Sequence, residues 1–486
     1  MIIQTPEWVQ HAVFYQIFPD RFSRSPRLEH PQGIHFKPWG ANPAEQGFQG
    51  GDLLGVVDRL DYLQDLGITA LYLNPIFSAP ANHRYNTYDY YQVDPLLGGN
   101  AALRELLDEA HRRDMRIVLD GVFNHCGRGF WAFHHIMENR ENSPYLNWFT
   151  IHGFPLNAYL DDKSSAARYT FWKSAPSLPK FNTSHPGARQ YLLQVARHWL
   201  EFGIDGWRLD APEEILDDDF WRKFRLAVKS VNSQAYIVGE IWPPAQHWLQ
   251  GDMFDGVMNY VITSPILGFF GGEQLNRTWN NREIPLLPLH ARDFAQKIEA
   301  MFASYAWQIN YTQLNMLDSH DMPRALWILK EDRQALKQAV LCQMSMPGAP
   351  CVYYGDEIGL SAGSDPHCRG AFPWQDLQSW DHELLAFYKQ AIALRHTYPA
   401  LRTGDFAFIH TQHKTVAYRR RLADQEILVI FNAARQPSHV SISPDHLNRH
   451  RFKQVWPVDH SLTDYTKSGL ELDLPPQGSM VLVSVD

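Results

Sequence analysis

The chain has 486 residues, 45% of them hydrophobic and 20% charged, which is an ordinary balance for a globular protein. Its formal net charge is −9 and it contains no basic run, so we expect neither a nucleic acid nor a membrane as a partner. The four cysteines are scattered, which argues against disulfides and a structural zinc site. With no signal peptide and no apolar run near the ~20 residues of a membrane span, we expect a cytoplasmic protein.

Short apolar or β-branched runs alternate with amphipathic segments over most of the chain. The runs that predict strands cover residues 13–18, 70–74, 116–122, 206–210, 236–240, 256–260, 314–317 and 351–354. The segments that predict helices between them cover residues 53–66, 101–113, 187–202, 220–231, 333–344 and 382–394. Eight strands that alternate with helices are typical of an α/β protein with a (β/α)8 TIM barrel, which we therefore predict.

Two segments depart from the barrel pattern. Residues 126–185, after the third strand, are rich in Trp, Phe, His, Asn and Pro and are too long for a structureless loop, so we predict an inserted subdomain. After residue 398, short runs at 416–421, 427–431, 439–442 and 480–485 predict an antiparallel β-sandwich domain over residues 399–486. The catalytic barrel is then assigned to residues 1–125 and 186–398.

Polar residues occur where the predicted strands end, and barrel enzymes build their active sites at these ends. The segments are DGVFNH with Asp120 and His125, GWRLD with Arg208 and Asp210, VGEIW with Glu240 and Trp242, and NMLDSHD with His320 and Asp321. Each residue alone has a plainer interpretation as a turn residue, a structural ion pair or a buried histidine. Four such coincidences at one barrel opening favour a functional site.

This combination of side chains suits the cleavage of a glycosidic bond. A retaining glycosidase uses one carboxylate as nucleophile and another as acid/base, about 5–5.5 Å apart, and Asp210 and Glu240 end successive strands. We expect Arg208 to keep Asp210 ionised. We expect an apolar setting near Trp242 to help Glu240 to keep its proton. Asp321 would then offset the positive charge that develops on the sugar ring.

The same four segments resemble the four signature regions of the α-amylase family of glycoside hydrolases. The segments YQIFPDRF (15–22), NHRYNTYDY (82–90) and YYGDEIGL (353–360) also resemble that family, so the resemblance covers roughly residues 13–400. The segment LPKFN (178–182) is similar to the MPKLN signature of neopullulanases, cyclomaltodextrinases and maltogenic amylases. The stretch EIWPPAQHWLQGDMFDGVMNY (240–260) supports the same subgroup.

The resemblance implies a role for each residue of the site. Asp210 is implied to be the nucleophile, Glu240 the acid/base and Asp321 the transition-state stabiliser. The residues implied to line the subsite of the cleaved glucose are Tyr85, His125, Arg208 and His320, with Asp120 supporting them from behind. For Tyr85 and His83, packing at the barrel rim is the plainer alternative.

The resemblance also implies an α-glucan substrate and no cofactor. The expected activity is hydrolysis of α-1,4 and also α-1,6 glucosidic bonds in maltooligosaccharides, cyclodextrins, pullulan or branched glucans, with transglycosylation. An α-glucan transglycosylase or isomerase that excludes water is the alternative. A sugar-binding relative without activity is a further one, which the three carboxylates disfavour.

The sequence departs from this subgroup in its N-terminal part and after the nucleophile. Relatives usually carry an additional N-terminal domain that closes the cleft across a dimer, whereas Tyr15 already lies in the first strand. We therefore expect an open site that favours longer or branched glucans, and a homodimer stays an open alternative. The usual VANE-like segment is replaced by APEE (211–214), in which Glu213 is a candidate for binding sugar hydroxyls. Acidity at a helix start is the plainer explanation for Glu213.

Two further expectations concern a metal ion and the sugar-stacking residues. Several relatives bind calcium in an Asn/Asp-rich loop at the position that follows Phe22 here. This loop instead contains Arg24 and Arg27, which cannot supply the six or more oxygens that calcium prefers, so we expect no calcium there. The aromatic residues considered as sugar platforms are Trp172, Phe181, Trp242 and Trp374. Their motif positions favour Phe181 and Trp242, whereas core packing is favoured for Trp374.

Overall fold

A parallel sheet of eight strands forms the centre of the computed structural model, which describes residues 3–159, 166–279, 285–458, 461–464 and 469–485. The strands, called barrel strands one to eight below, are Phe14–Ile17, Ala70–Leu73, Arg116–Gly121, Gly206–Leu209, Tyr236–Gly239, Gly256–Val257, Leu314–Met316 and Ala349–Tyr353. Each strand overlaps one of the runs that predicted it, and helices follow between them. The predicted TIM barrel is therefore confirmed.

The barrel strands pair in the order six, five, four, three, two, one, eight, seven, and every pairing is parallel. A parallel bridge between Met258 and Leu314 joins strands six and seven and closes the barrel. In the register of strands three and four, Asp120 lies directly opposite Arg208. The polar residues at the strand ends therefore surround one opening.

Helices surround the barrel and connect its strands. The longer ones are Gly99–His111, Trp131–Asn139, Pro186–Phe202, Asp218–Val231, Tyr260–Gly271, Ala291–Ala303, Arg333–Ser345 and His382–Thr397. The shorter ones are Glu7–His11, Pro19–Phe22, Leu53–Val57, Leu60–Leu66, Trp307–Asn310, Ala325–Ile328 and Pro399–Thr403. Among the described residues, no helix combines the length and the apolar character that crossing a bilayer requires.

The segment 53–66, which predicted helical structure, is helical on both sides of a short break. The structure has two helices there, and the break lies at Asp58 and Arg59. The Asp58 carboxylate accepts a hydrogen bond from the Ser25 hydroxyl at 2.6 Å and pairs with Arg27 at 3.0 Å. These contacts tie the break to the loop after Phe22, so tertiary contacts rather than local pattern decide where the first helix ends.

The segment inserted after barrel strand three folds around its own aromatic residues. It contains the helix Trp131–Asn139 and isolated antiparallel bridges, two of which pair His125 with Lys180 and Phe149 with Phe181. The Phe149 and Phe181 rings stack with centroids 5.3 Å apart. Residues 160–165 of this segment lie outside the described residues. The bridge at His125 connects the insertion directly to the end of barrel strand three.

Antiparallel strands form the C-terminal part of the chain, as predicted. One sheet contains, in spatial order, Asp405–Gln412, Thr415–Leu422, Gln425–Asn432, Ser479–Ser484, Arg451–Trp456 and Leu462–Asp464, and a second pairs Ser438–Ile442 with Leu470–Leu474. Buried apolar side chains from both sheets, such as Ile430, Val440 and Leu472, form a shared core. The domain boundaries stay a prediction.

Candidate active site

A buried arginine near the end of barrel strand four contacts three carboxylates of the opening. Arg208 Nη1 lies 2.8 Å from Asp120 Oδ1 and 3.1 Å from Asp210 Oδ1. Its Nη2 lies 2.9 Å from Glu240 Oε2. A guanidinium stays charged at physiological pH and therefore balances the acidic groups around it. All four residues were predicted from strand ends, and the structure brings them together.

Asp210 has one oxygen engaged by Arg208 and one that is free. Its Oδ1 accepts a hydrogen bond from Arg208, whereas Oδ2 is buried, lies 3.9 Å from His125 Nε2 and has no hydrogen-bond partner among the described residues. Burial, and then the charge of Glu240, raise the pKa of Asp210 well above 3.8, although Arg208 lowers it. Arg208 thus lowers the pKa of Asp210, as expected, but desolvation raises it by more.

Glu240 follows barrel strand five and accepts from several donors. Its Oε2 accepts from the Ala211 N–H at 3.1 Å and contacts Arg208, and its Oε1 accepts from the Trp242 indole at 3.0 Å. The Trp242 ring stacks on Tyr260 with 3.9 Å between centroids. The indole N–H donates to the carboxylate and fixes its orientation, and the two stacked rings form a partly apolar wall beside it.

The backbone turns sharply after the nucleophile candidate. Ala211 has φ 40° and ψ 49°, a left-handed conformation that is uncommon for a residue with a Cβ atom. Such strained residues cluster at functional sites, where surrounding contacts hold them in place. Here the turn directs the Ala211 N–H towards Glu240 and so ties the ends of barrel strands four and five together.

Glu213 lies in the short turn that follows Ala211. Glu213 lies in the first turn of the short 3-10 helix Pro212–Glu214, so acidity at a helix start stays an alternative explanation for it. Its Oε2 is buried and has no hydrogen-bond partner among the described residues. Burial, followed by the charge of Glu240, raises the pKa of Glu213 to about 7. This carboxyl group is therefore a further titratable group beside the acidic centre.

Close polar contacts join Asp321, the remaining carboxylate, to this cluster. Asp321 Oδ2 lies 3.1 Å from His320 Nε2, and the same nitrogen lies 2.5 Å from the Tyr85 hydroxyl. Tyr85 also donates to Asp120 Oδ2 at 2.9 Å, and Asp120 pairs with Arg208. A continuous chain of contacts thus runs from Asp321 to the guanidinium. The acidic side chains that the sequence predicted as partners lie around one opening.

Sequence reasoning missed two residues that hold this chain in place. Gln16 Nε2 lies 2.8 Å from His320 Nδ1. Arg369 donates to Asp321 Oδ1 at 3.1 Å and to the His320 carbonyl at 2.9 Å. Gln16 was detectable as a polar residue inside the apolar run of barrel strand one. Arg369 lies in a turn beyond barrel strand eight, and no motif spacing connects it to Asp321.

The histidines at the opening are neutral near pH 7. Burial lowers the pKa of His125 to about 3 and that of His83 to about 4, and it lowers the pKa of His320 well below 6.5. Each ring therefore has one N–H donor and one acceptor nitrogen. The His125 ring also stacks on Trp172, which is partly exposed, at 5.0 Å. These rings offer hydrogen bonds to a ligand without adding charge.

The aromatic residues that were considered as sugar platforms differ in their exposure and packing. Phe181 is only 7% exposed and packs against Phe130 and Phe149, and its role in binding substrate stays a prediction. Its ring faces are covered by the inserted segment. Trp374 packs in an aromatic cluster, as the sequence favoured. Trp242 is partly exposed and retains one ring face that Tyr260 does not cover.

The loop after Phe22 is organised by an arginine. The Arg24 guanidinium donates to the Gln49 carbonyl and lies 5.4 Å from the centre of the Phe36 ring. The nearby Asp52 carboxylate already accepts from the Ser25 N–H at 2.9 Å. Within the part of the chain that the structure describes, no three His, Cys, Asp or Glu side chains are grouped so as to hold a metal ion. The expectation of no calcium stays a prediction.

Relatives of known name resemble this chain over most of its length. Residues 16–404 match the family model described as alpha amylase, catalytic domain. The cyclomaltodextrinase of Geobacillus thermopakistaniensis is 41% identical over 448 residues, which are 91% of this chain and 72% of that protein. The intracellular maltogenic amylase of Bacillus subtilis is 37% identical over 453 residues, or 92% of this chain and 73% of that protein.

The likeness extends to a solved structure. The debranching enzyme of Nostoc punctiforme, crystallised and soaked with acarbose, has a TM-score of 0.88 and 41% identity, and the match covers 99% of this chain and 100% of that one. Identity at this level over whole chains reflects common descent rather than a shared fold alone. The chain belongs to the α-amylase family.

Proposed function

We propose that the protein is a retaining glycoside hydrolase that cleaves α-1,4 and α-1,6 glucosidic bonds in maltooligosaccharides, cyclodextrins, pullulan or branched glucans. The observation that carries this proposal is the contact of one guanidinium, that of Arg208, with both Asp210 and Glu240. A retaining glycosidase needs two carboxyl groups about 5–5.5 Å apart. Asp210 and Glu240 contact the same guanidinium, so they lie close to each other, as the two carboxyl groups of such a pair must.

Asp210 is the proposed nucleophile and Glu240 the proposed acid/base. In the first step, Asp210 Oδ2 attacks C1 of the bound glucose while Glu240 gives its proton to the leaving glycosidic oxygen. A water molecule then attacks C1, Glu240 takes the proton of that water, and the bond from C1 to Oδ2 breaks. Both carboxyl groups return to their starting states, and two inversions leave the product with the original α configuration.

The other residues of the opening are proposed to bind and stabilise the sugar. Asp321 faces the site with a partly exposed carboxylate that offsets positive charge on the ring in the transition state. The side chains proposed to line the subsite of the cleaved glucose are Tyr85, His125, Arg208 and His320. Asp120 holds Tyr85 in place by accepting its hydrogen bond. Glu213 and Trp242 are proposed to contact the sugar on the leaving-group side of the cleaved bond.

The pKa of Asp210 predicts how activity depends on pH. A carboxylate attacks only when it is ionised, so activity is lost as the pH falls through the raised pKa of Asp210. We expect the acidic limb of kcat/KM on maltoheptaose to lie well above pH 3.8, the ordinary value for an aspartate. Initial rates between pH 4 and 8, with circular dichroism to show that the fold persists, measure this. Full activity down to pH 4 would contradict it.

The names of the relatives support an α-glucan as the substrate class. The relatives are named for acting on cyclomaltodextrin, for forming maltose and for debranching. The covalent intermediate can also be intercepted by a sugar hydroxyl instead of water, which gives transglycosylation. The alternative of a transglycosylase or isomerase differs only in how far water is excluded. Incubation with maltose separates the two, since a hydrolase releases glucose and an isomerase forms isomeric disaccharides.

The direct test is a product time course on four substrates under one set of conditions. These are β-cyclodextrin, pullulan, a linear maltooligosaccharide and a branched dextrin. We expect small maltooligosaccharides to be released, initially as the α anomer, which proton NMR detects during the first turnovers. Release of the β anomer would contradict the retaining mechanism. No release from any of the four would instead favour a non-catalytic sugar-binding protein.

We further propose that the enzyme works in the cytoplasm, without nucleic acid or membrane partners, and without calcium in the loop after Phe22. Arg24 supports the last point, because its guanidinium already bridges to the Gln49 carbonyl. Activity that survives treatment with EDTA is expected, and elemental analysis showing one tightly held calcium would oppose the proposal. A homodimer is proposed as the alternative to a monomer, and sedimentation equilibrium decides between them.

A further inference from the structure

A small cavity lies between the segments that follow barrel strands one and eight, and the mechanism above does not use it. Its volume is about 90 Å³, and the residues that line it are Ser23, Arg24, Trp39, Arg59, Trp374 and Gln375. Pockets for whole small molecules begin at about 300 Å³, so this cavity has room for a single small group. Arg24 and Gln375 are exposed, so the cavity opens to solvent.

Two of the lining side chains are arginines with unused hydrogen-bond donors. Arg24 donates through Nη2 to the Gln49 carbonyl, and Arg59 donates through Nε to the Ser23 hydroxyl at 3.3 Å. A guanidinium carries five N–H donors. Within the part of the chain that the structure describes, Nη1 of Arg24 and both terminal nitrogens of Arg59 have no hydrogen-bond partner. Both side chains can therefore donate to a group in the cavity.

These two arginines also lack a carboxylate partner among the described residues, unlike the arginine three positions after Arg24. Arg27 pairs with Asp58 at 3.0 Å and with Glu105 at 2.6 Å. Burial lowers the pKa of Arg59, and the charge of Asp58 raises it by less. Asp58 is already engaged by Arg27 and by the Ser25 hydroxyl. Two cations thus line one cavity without a matching anion, which makes its potential positive.

Aromatic rings hold the two guanidiniums in place. The guanidinium carbon of Arg59 lies over the Trp374 ring, 4.2 Å from its centre, and that of Arg24 lies over the Trp39 ring at 5.8 Å. The Trp39 indole donates to the Phe372 carbonyl at 2.9 Å, and the Phe372 ring stacks on Trp374 at 4.0 Å. A guanidinium held over a ring through its centre keeps its N–H donors at its edge. The two cations are therefore oriented before any ligand binds.

This combination of groups suits a phosphate rather than a metal ion or a neutral sugar. The positive potential repels metal ions, and the volume is too small for a sugar ring. A phosphate group presents several charged oxygens, which accept strong hydrogen bonds from more than one guanidinium at once. The Ser23 hydroxyl and the Gln375 amide add further donors at the edge of the cavity.

We propose that Arg24 and Arg59 form a binding site for a phosphate group, carried by inorganic phosphate or by a sugar phosphate monoester. In the second case the phosphate occupies the cavity and the sugar lies outside it, against the partly exposed Trp39 ring. The site uses none of the residues at the catalytic opening. It therefore does not depend on the proposed function.

Isothermal titration calorimetry at constant ionic strength tests the proposal with inorganic phosphate, glucose 1-phosphate and glucose. We expect wild-type protein to bind both phosphates saturably. Arg24→Gln and Arg59→Gln should each raise the Kd for both phosphates by about tenfold or more, because each removes charge-assisted hydrogen bonds. Binding of glucose should not change. Equal Kd values for the two phosphates identify the free anion as the ligand, and a lower Kd for glucose 1-phosphate identifies the sugar phosphate.

Arg27→Gln is the matched control. It removes one positive charge from the same loop, but its guanidinium is already paired with two carboxylates. We expect the Kd for both phosphates to change less than about twofold in this variant. Thermal unfolding followed by circular dichroism shows that each variant is folded at the temperature of the titration. If Arg24→Gln loosens its loop, Arg59→Gln decides by itself.

Three results would overturn the phosphate site. The first is that wild-type protein binds neither phosphate. The second is that a folded Arg24→Gln or Arg59→Gln variant keeps the Kd of wild type, as it would if glucose 1-phosphate bound only at the catalytic opening. The third is that Arg27→Gln raises the Kd as much as the other two variants, because the effect would then reflect the overall charge of the loop.

Discussion

The Asp210→Asn variant is expected to lose activity on every α-glucan, by on the order of 10⁴-fold or more. The amide keeps the size of the side chain but cannot form and release an ester at C1 of the sugar. Both chemical steps need this group, so the loss appears in kcat rather than in KM. The measurement is the initial rate of reducing-sugar release from maltoheptaose. Activity equal to that of wild type would show that another residue is the nucleophile.

Stability distinguishes a lost nucleophile from a damaged fold. The pKa of Asp210 is raised in the folded protein, so the free energy of unfolding falls as the pH rises from 3.8 towards that raised pKa and stays lowered above it. Asparagine does not ionise and avoids this cost. We expect Tm of the variant to equal or exceed that of wild type at pH 7, and the difference to shrink as the pH falls towards 3.8. A lower Tm at pH 7 together with lost acarbose binding would instead indicate misfolding.

The Glu240→Gln variant is expected to lose about 10²–10⁴-fold in kcat on maltoheptaose, because general acid catalysis contributes about that much. We expect this loss in kcat to depend on the leaving group of the substrate. Fluoride leaves without protonation, so the first step with α-maltosyl fluoride needs no acid and is expected to stay fast. Because the second step lacks its base, a burst of fluoride equal to the enzyme concentration should precede slow turnover.

Azide provides the complementary measurement for Glu240→Gln. This anion attacks the glycosyl-enzyme without base assistance, so added azide should restore turnover of α-maltosyl fluoride and give α-maltosyl azide. Glu213→Gln is the matched control, since Glu213 is the neighbouring carboxyl group whose pKa the charge of Glu240 raises. It should show no burst and no rescue. If the Glu240→Gln variant loses the same factor in kcat on maltoheptaose and on α-maltosyl fluoride, and azide does not restore turnover, Glu240 is not the acid/base.

Much of the site was predictable because its residues stand at fixed positions relative to the strands. Once the eight strands are assigned, the barrel brings their ends to one opening, and the register of strands three and four sets Asp120 opposite Arg208. Arg369 was not predicted, because it contacts Asp321 from a turn that lies 48 residues further along the chain. Contacts of that kind depend on the path of connecting segments, which has no periodic signal.

Two features of the site that its sequence segments did not indicate have the same physical origin. Phe181 occupies a signature segment, yet its ring is covered by Phe130 and Phe149 of the inserted segment. Arg208 contacts Asp210, yet burial raises the pKa of that carboxyl more than the cation lowers it. In both cases the residue types were identified correctly. Their exposure and desolvation depend on all the groups packed around them, which no short segment specifies.

By itself, the sequence determined the alternating strands and helices, the antiparallel C-terminal part and the identity of the acidic residues at the barrel opening. These follow from local periodicity and from the place of each polar residue within a strand. Only the tertiary structure decided the direction in which the pKa of Asp210 shifts, the burial of Phe181 and the cavity lined by Arg24 and Arg59. The reason is that desolvation and cavity shape are sums over contacts between segments far apart in the chain.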